Sequence, residues 1–322
     1  MLLDIFLLVF GLAGLVIGGN WLVGGASNLA RWLRIPEMII GLTIVSIGTS
    51  APELVVNIQS ALSGSVDLAL ANVVGSNIAN ILLILSIGAL ITPLVISKDT
   101  RVKDIPYVLL GSLIIWLFVS DVGIEGATTA ILSRTEGVTL IGFFIIFLVY
   151  MYQSATASGG EAKKVESVSV SRKELIKSFA IVPVGIFFLA VGGDMVVRGA
   201  SSFALTLGVS ERIIGLTIVA VGTSLPELVT TIVSALKGKV DILVGNIVGS
   251  NIFNIFFILG VTSVIQPLAL SSVPHIDFIF MLGAVLLMVG SLYIGKKHTI
   301  EKKQAIFMLV AYVSYIVIVG FL

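Results

Sequence analysis

Cysteine is absent from all 322 residues, which removes disulfide frameworks, thiolate nucleophiles and cysteine-ligated metal centres. Histidine is nearly absent as well. His275 and His298 lie far apart in polar connections, so a histidine-ligated transition metal is not expected. Charge is sparse, with 11% charged residues against 57% hydrophobic and a net charge of +1. That leaves no electrostatic footprint for nucleic acid and too little polar surface to clothe a soluble core of this size. Mean hydropathy is +1.14, the value of an integral membrane protein. No basic n-region or small-residue cleavage pattern opens the chain, so the apolar run from Leu2 reads as a first membrane helix and not as a removable signal. HExxH, GxSxG, a P-loop and paired catalytic aspartates are missing too, and no enzyme or cofactor is expected.

Long apolar stretches take the place of these features. At about 20 residues per crossing, ten helices are expected, near 2–28, 38–62, 68–91, 105–121, 137–154, 178–204, 212–236, 241–265, 277–295 and 304–322. The stretch 120–136 is too short and too charged to add another. Connections after the odd-numbered helices hold 16 of the 19 Lys and Arg residues, among them Arg31, Lys98, Lys164, Lys239 and Lys297. The positive-inside rule therefore places both termini outside.

The chain also repeats itself. Residues 37–93 align on 211–267 at a constant offset of 174, without a gap, and 34 of 57 positions are identical. GTSAPELV meets GTSLPELV, and GSNIAN meets GSNIFN. Five helices per half is an odd number, so the second copy enters the membrane from the other side. The expected fold is all-α, two inverted five-helix repeats: residues 1–154, a flexible cytoplasmic linker 155–177, and residues 178–322. Matching polar interruptions in such halves point to a secondary transporter.

Each copy carries a glutamate, Glu53 and Glu227, in mid-span with no basic residue nearby. An intramembrane carboxylate is costly and by default marks an ion or proton pathway. Pro52 and Pro226 cannot donate to the carbonyls of Gly48 and Gly222, which predicts a broken helix with free carbonyl oxygens. Thr49, Ser50, Thr223 and Ser224 add hydroxyls close by. Asn72, Ser76 and Asn80 recur every four residues on one helix face, matched by Asn246, Ser250 and Asn254. Ser76, Asn80, Ser250 and Asn254 read as ligands, whereas Asn72 and Asn246 fit packing and ligation equally. Two carboxylates with neutral oxygens suit a hard cation, Ca2+ better than Mg2+, and Na+ accepts the same oxygens. Asp194 and Arg198 read as a local i, i+4 ion pair, and Asp67 and Asp241 as acids at helix starts.

The paired GTSxPE and GSNxxN motifs resemble the α-repeats of the Ca2+/cation antiporter superfamily, specifically the prokaryotic Na+/Ca2+ exchangers, over both halves of the chain. The resemblance implies ion sites between helices 2, 3, 7 and 8 and alternating access by sliding of helices 1 and 6. It implies Thr49, Ser50, Glu53, Ser76, Asn80, Thr223, Ser224, Glu227, Ser250 and Asn254 as ligands, with backbone carbonyls from Ser46 and Ala220. Some relatives carry an aspartate at the position of Asn254, and potassium-dependent members are associated with an acid there. Asparagine in both copies argues against potassium co-transport. The GNAxE-like pattern of the H+/Ca2+ branch is absent, which favours sodium; a proton-driven Ca2+ antiporter on the same fold is the alternative, and a channel or intramembrane enzyme a more distant one. The expected partners are Ca2+, Na+ or H+ and the lipid bilayer of a prokaryotic cell membrane, with no nucleic acid, and the chain is expected to function as a monomer.

Overall fold

Apolar chain in a bilayer must satisfy its backbone internally, and a helix does so within one segment. The computed structural model describes residues 2–120, 130–161, 172–208, 220–269 and 275–321, and helices dominate it. Helix α1 is Leu2–Leu33. Helices α2, Glu37–Thr49, and α3, Ala51–Leu62, meet at a 45° bend. Helix α4 runs through Val66–Ala79, a π-helical stretch Asn80–Ile84, and Leu85–Ile91. Strand β1, Leu94–Val95, precedes α5, which starts as π-helix over Thr100–Asp104 and continues over Ile105–Phe118. Strand β2 is Ile131–Leu132, and helices α6 and α7 are Arg134–Glu161 and Arg172–Thr206. A short α8, Ala220–Gly222, leads into α9, Leu225–Leu236. Then follow α10, Val240–Ile265 with π-helix at Phe253–Ile258, β3 at Leu268–Ala269, α11 at His275–Ser291, β4 at Thr299–Ile300 and α12 at Lys302–Phe321. Among the described residues six helices are long and apolar enough to cross a membrane, and the bent α2–α3 pair makes a seventh. The chain is a multi-pass membrane protein.

The internal repeat carries into three dimensions at the same offset. Adding 174 to α3 gives α9, to Asn80–Ile84 gives most of the π-helical stretch of α10, and to β1 gives β3. Each of these strands follows a proline, Pro93 or Pro267, and pairs with a strand of the opposite half. Leu94 faces Ile300 and Val95 faces Thr299, while Ile131 faces Ala269 and Leu132 faces Leu268.

The all-α expectation holds in the main, with two short antiparallel ladders added that satisfy backbone groups where helices end. The expected span 38–62 is broken at Ser50 into two helices, as Pro52 predicts. One expectation changes: both described ends of the stretch read as a flexible linker are helical, since α6 reaches Glu161 and α7 begins at Arg172. A helix already nucleated by a buried span extends cheaply, one hydrogen bond per residue added. Residues 162–171 of that linker, with Lys164, lie outside the described residues, as do 121–129 and 209–219, the start of the expected seventh helix.

Buried apolar side chains form two groups. The larger lies around α4, α5, α6, α10, α11 and α12, with Leu70, Ile78, Phe147, Phe256 and Phe278 fully enclosed. The smaller gathers where α1 meets α7, around Leu15, Leu22, Val23 and Leu189. The α1–α7 contact is backbone on backbone. A methyl added at Gly11 would sit 2.8 Å from the Gly192 carbonyl oxygen, and one at Gly18 would sit 2.7 Å from that of Gly185. As numbers rise along α1 they fall along α7, so the two helices are antiparallel. Glycines at seven-residue spacing make this approach possible, as in other close-packed membrane helix pairs. Gly18→Leu or Gly185→Leu is expected to destabilise the protein by about 1–3 kcal/mol through overpacking. Gly24→Ala, whose added methyl meets nothing within 4 Å, serves as the silent control in thermal melts in detergent.

Candidate cation-binding site

The break between α2 and α3 falls at Ser50, with φ −88° and ψ 9°; the break between α8 and α9 falls at Ser224, with φ −86° and ψ 8°. Pro52 and Pro226 sit in the first turns of the new helices, where a missing N–H costs nothing. The proline thus restarts a helix and does not merely bend one. Glu53 and Glu227 occupy the same first turns. Each carboxylate therefore feels the positive end of a 12-residue helix, an arrangement that favours a buried negative charge. Both glutamates are enclosed, at 1% and 0% exposure, and they are close enough to repel one another.

Hydroxyls cross between the halves in a reciprocal pattern. Ser50 donates to Glu227 Oε1 at 2.7 Å, and Ser224 donates to Glu53 Oε1 at 3.4 Å. Thr49 stands 3.0 Å from Asn246 Oδ1, and Thr223 stands 3.4 Å from Asn72 Oδ1. Ser250 lies 2.9 Å from Ser50 and 3.4 Å from Glu227 Oε1. Side chains that sequence alone left open between packing and ligation, Asn72 and Asn246, thus hold the threonines beside the glutamates.

Several buried oxygens here have no protein partner: Glu53 Oε2, Glu227 Oε2, Ser76 Oγ, Asn80 Oδ1 and Asn254 Oδ1. Leaving such atoms unpaired in a low-dielectric interior costs on the order of 1–3 kcal/mol each, and more for a charge. All are acceptors, or in the case of Ser76 an acceptor-capable hydroxyl, the kind of atom a cation satisfies, although the amide nitrogens of Asn72, Asn80 and Asn246 lack partners as well. Among the described residues no three His, Cys, Asp or Glu side chains cluster. Two carboxylates among neutral oxygens are a donor chemistry that suits a hard cation better than a transition metal.

The remaining expected residues divide. The Ser46 carbonyl already has the Ser50 N–H at 3.0 Å and the Thr49 hydroxyl at 3.2 Å, so ligation there would displace one of them. Ala220 opens α8, and its side chain lies outside the described residues. Asp194 and Arg198 form the expected exposed ion pair at 2.9 Å. Asp241 lies in the first turn of α10, and the side chain of Asp67 lies outside the described residues.

Sequence reasoning passed over Asn77. Asn254 Nδ2 donates to Asn77 Oδ1 at 3.2 Å, which fixes the Asn254 amide and leaves its Oδ1 as the free atom. The signal was present as the first asparagine of GSNxxN. Asn57, Thr230, Thr231 and Ser234 were also missed. All are fully buried on α3 and α9 with unpartnered polar atoms, at helical spacing from the glutamates. The π-helical turns starting at Asn80 and spanning Asn254 had no signal in the sequence; such turns re-aim side chains and recur at functional sites.

Two broken helices and a set of buried oxygen acceptors thus lie inside a multi-pass membrane protein, and its relatives supply the family. The profile of the sodium/calcium exchanger protein family matches residues 3–153 and 177–321. The chain belongs to that family. It is 36% identical over 316 residues, 97% of this chain and 96% of its relative, to a putative antiporter, CaxA, of Alkalimonas amylolytica. It is 27% identical to the sodium/calcium exchanger MaX1 of Methanosarcina acetivorans, covering 99% of each. The solved sodium-calcium exchanger NCX_Mj superposes with a TM-score of 0.81 at 28% identity, over 98% of both chains.

Replacing Asn77 by alanine is expected to free the Asn254 amide and weaken Ca2+ binding about tenfold, or ~1.4 kcal/mol. Titration calorimetry on purified protein measures this, and Asn77→Asp, which keeps an acceptor for Asn254 Nδ2, is expected to restore affinity. Loss of thermal stability without loss of affinity would make Asn77 a packing residue only.

Proposed function

We propose that this chain is a secondary active antiporter that exchanges Ca2+ for Na+ across a prokaryotic cell membrane by alternating access. The observation that carries the reading is the pair of buried glutamates, each at the head of a broken helix, met by hydroxyls of the opposite half and each with one oxygen left without a partner. Glu53 and Glu227 hold the charge of Ca2+. Thr49, Ser50, Ser76, Asn80, Thr223, Ser224, Ser250 and Asn254 complete the coordination through hydroxyls and amides, and Ser46 and Ala220 contribute rim carbonyls. The relatives named as sodium/calcium exchangers support Na+ as the counter-ion.

The architecture proposed with it is ten membrane helices in two inverted five-helix repeats, residues 1–154 and 178–322, joined by 155–177, with both termini outside. Antiparallel packing of α1 on α7 supports inversion, since these are the first helices of the two halves. Their glycine-lined crossing supports a sliding pair, because glycines at the points of closest approach leave fewer side chains to interlock.

Charge balance makes the exchange intelligible. Two carboxylates neutralise one Ca2+, and three Na+ would leave the site at a net positive charge of one. If more than two Na+ replace each Ca2+, exchange moves charge and responds to membrane voltage. Two protons would also neutralise the glutamates, but protons need only carboxylates, whereas Na+ needs the neutral oxygens that crowd this site.

In vesicles loaded with Na+ and held at clamped pH, an outward Na+ gradient is expected to drive Ca2+ uptake. Glu53→Gln and Glu227→Gln are each expected to abolish it, because one uncompensated charge in a low-dielectric site costs several kcal/mol. Uptake driven by a pH gradient and indifferent to Na+ would assign the chain to proton-coupled exchange, and wild-type flux from either glutamine variant would end the two-carboxylate reading. Topology is tested separately on a chain with no cysteine of its own. Single cysteines at Lys98, Lys164 and Lys297 are expected to resist an impermeant thiol reagent applied to intact cells, and labelling of any of them overturns the orientation.

A further inference from the structure

A cavity of about 920 Å³ opens between α11 and α12. Its wall is apolar and largely exposed: Leu286 at 51%, Ile294 at 66% and Phe307 at 62%. Its floor is made by Gly283 and Gly290, two turns apart on α11, where an added methyl would meet nothing within 4 Å. These glycines press against no neighbour; their missing side chains leave open space in the groove. From Gly283 to Ser291 the helix rises about 12 Å at ~1.5 Å per residue, close to the ~15 Å of hydrocarbon in one leaflet.

One end of the groove is polar and built. Gln304, 8% exposed, donates to the Ile294 carbonyl at 2.5 Å and accepts from the Glu301 N–H at 3.2 Å, which fixes the turn into α12. Glu301, Lys302 and Lys303 line the same end. Neither lysine has an ion-pair partner among the described residues, and the first turn of α12 contains no acid. Two lysines at the positive end of a 20-residue helix oppose its dipole. An anion held there relieves that repulsion and meets free backbone N–H groups as well. Glu301 subtracts one charge and leaves the mouth net positive.

We propose that this groove binds one anionic phospholipid of the adjoining leaflet, with an acyl chain over Gly283 and Gly290 and the phosphate at Lys302 and Lys303. Charge at the mouth selects the headgroup, and the one-leaflet length selects a lipid over a spanning helix. The assignment is independent of which ions the protein exchanges.

The test is native mass spectrometry on the purified, delipidated full-length chain, with phosphatidylglycerol and phosphatidylcholine in competition. Wild type is expected to retain phosphatidylglycerol preferentially. Lys302→Gln and Lys303→Gln are each expected to lower that affinity about fivefold, and the double variant about thirtyfold, while phosphatidylcholine is unaffected. Gly290→Leu, which fills open space, is expected to reduce lipid retention; should it fail to fold, the surface lysine variants decide alone. Equal retention of the two lipids, or a double lysine variant that holds phosphatidylglycerol as wild type does, overturns the proposal. So does a dimer that Gly290→Leu dissolves while lipid stays bound, because a second copy would then be the occupant.

Discussion

Two carboxylates enclosed in the membrane interior are the constraint on which the rest of this structure depends. A charged side chain at bilayer depth is expensive, and a second of the same sign beside it raises the cost. The chain answers with local devices that appear in both halves. A helix ends at Thr49 and restarts at Ala51, so Glu53 gains a helix N-terminus in mid-protein; Glu227 gains the same from the restart at Leu225. Hydroxyls from the opposite half supply hydrogen bonds to one oxygen of each carboxylate. The other oxygen of each has no partner among the described residues. Two ionised carboxylates there are only partly satisfied by the hydroxyls, so in the proposed exchanger site and cargo are energetically one unit.

Close backbone packing around the site follows from the same constraint. Reciprocal hydroxyl contacts of 2.7–3.4 Å require helices from the two halves to approach within the reach of serine and threonine side chains. Where α2 passes α10, a methyl at Gly249 would come within 2.6 Å of the Leu42 carbonyl and of Ser46 Oγ. Glycine there is what lets Ser50 meet Ser250 one turn further on.

Much of this was legible in the sequence because the repeat acts as its own comparison. Identity at Glu53 and Glu227, Pro52 and Pro226, or Ser50 and Ser224 separates residues held by chemistry from apolar filler free to drift. The helix breaks follow from proline physics alone. The two ladders and the π-helical turns were not legible. Two-residue strands carry no periodicity, and a π-turn changes the backbone ladder without demanding a particular residue. The seam of α1 and α7 was legible but overlooked, since Gly11 and Gly18 on one helix, and Gly185 and Gly192 on the other, stand seven apart. Asn77 was overlooked for a different reason. The i, i+4 stripe through Asn72, Ser76 and Asn80 steps past it, and its partner Asn254 belongs to the other half, a contact no local spacing announces.

Identical halves do not bond identically, and the difference bears on how such a site works. Asn254 is tied to Asn77, but the counterpart Asn80 has both polar atoms unpartnered, and Asn251 turns to its own helix at the Ile247 carbonyl. Ser250 joins the cluster around Glu227, whereas Ser76 is left without a partner. The residues at each of these paired positions are the same, but their surroundings are not. Ala79 beside Asn80 corresponds to Phe253 beside Asn254, and Leu82 and Leu83 correspond to Phe256 and Phe257. Asn77 also faces Met281, where the repeat offset puts Tyr107 in the other half. Equivalent polar side chains therefore do not impose an equivalent network, because the bulk packed around them decides which amide is tied and which is left open.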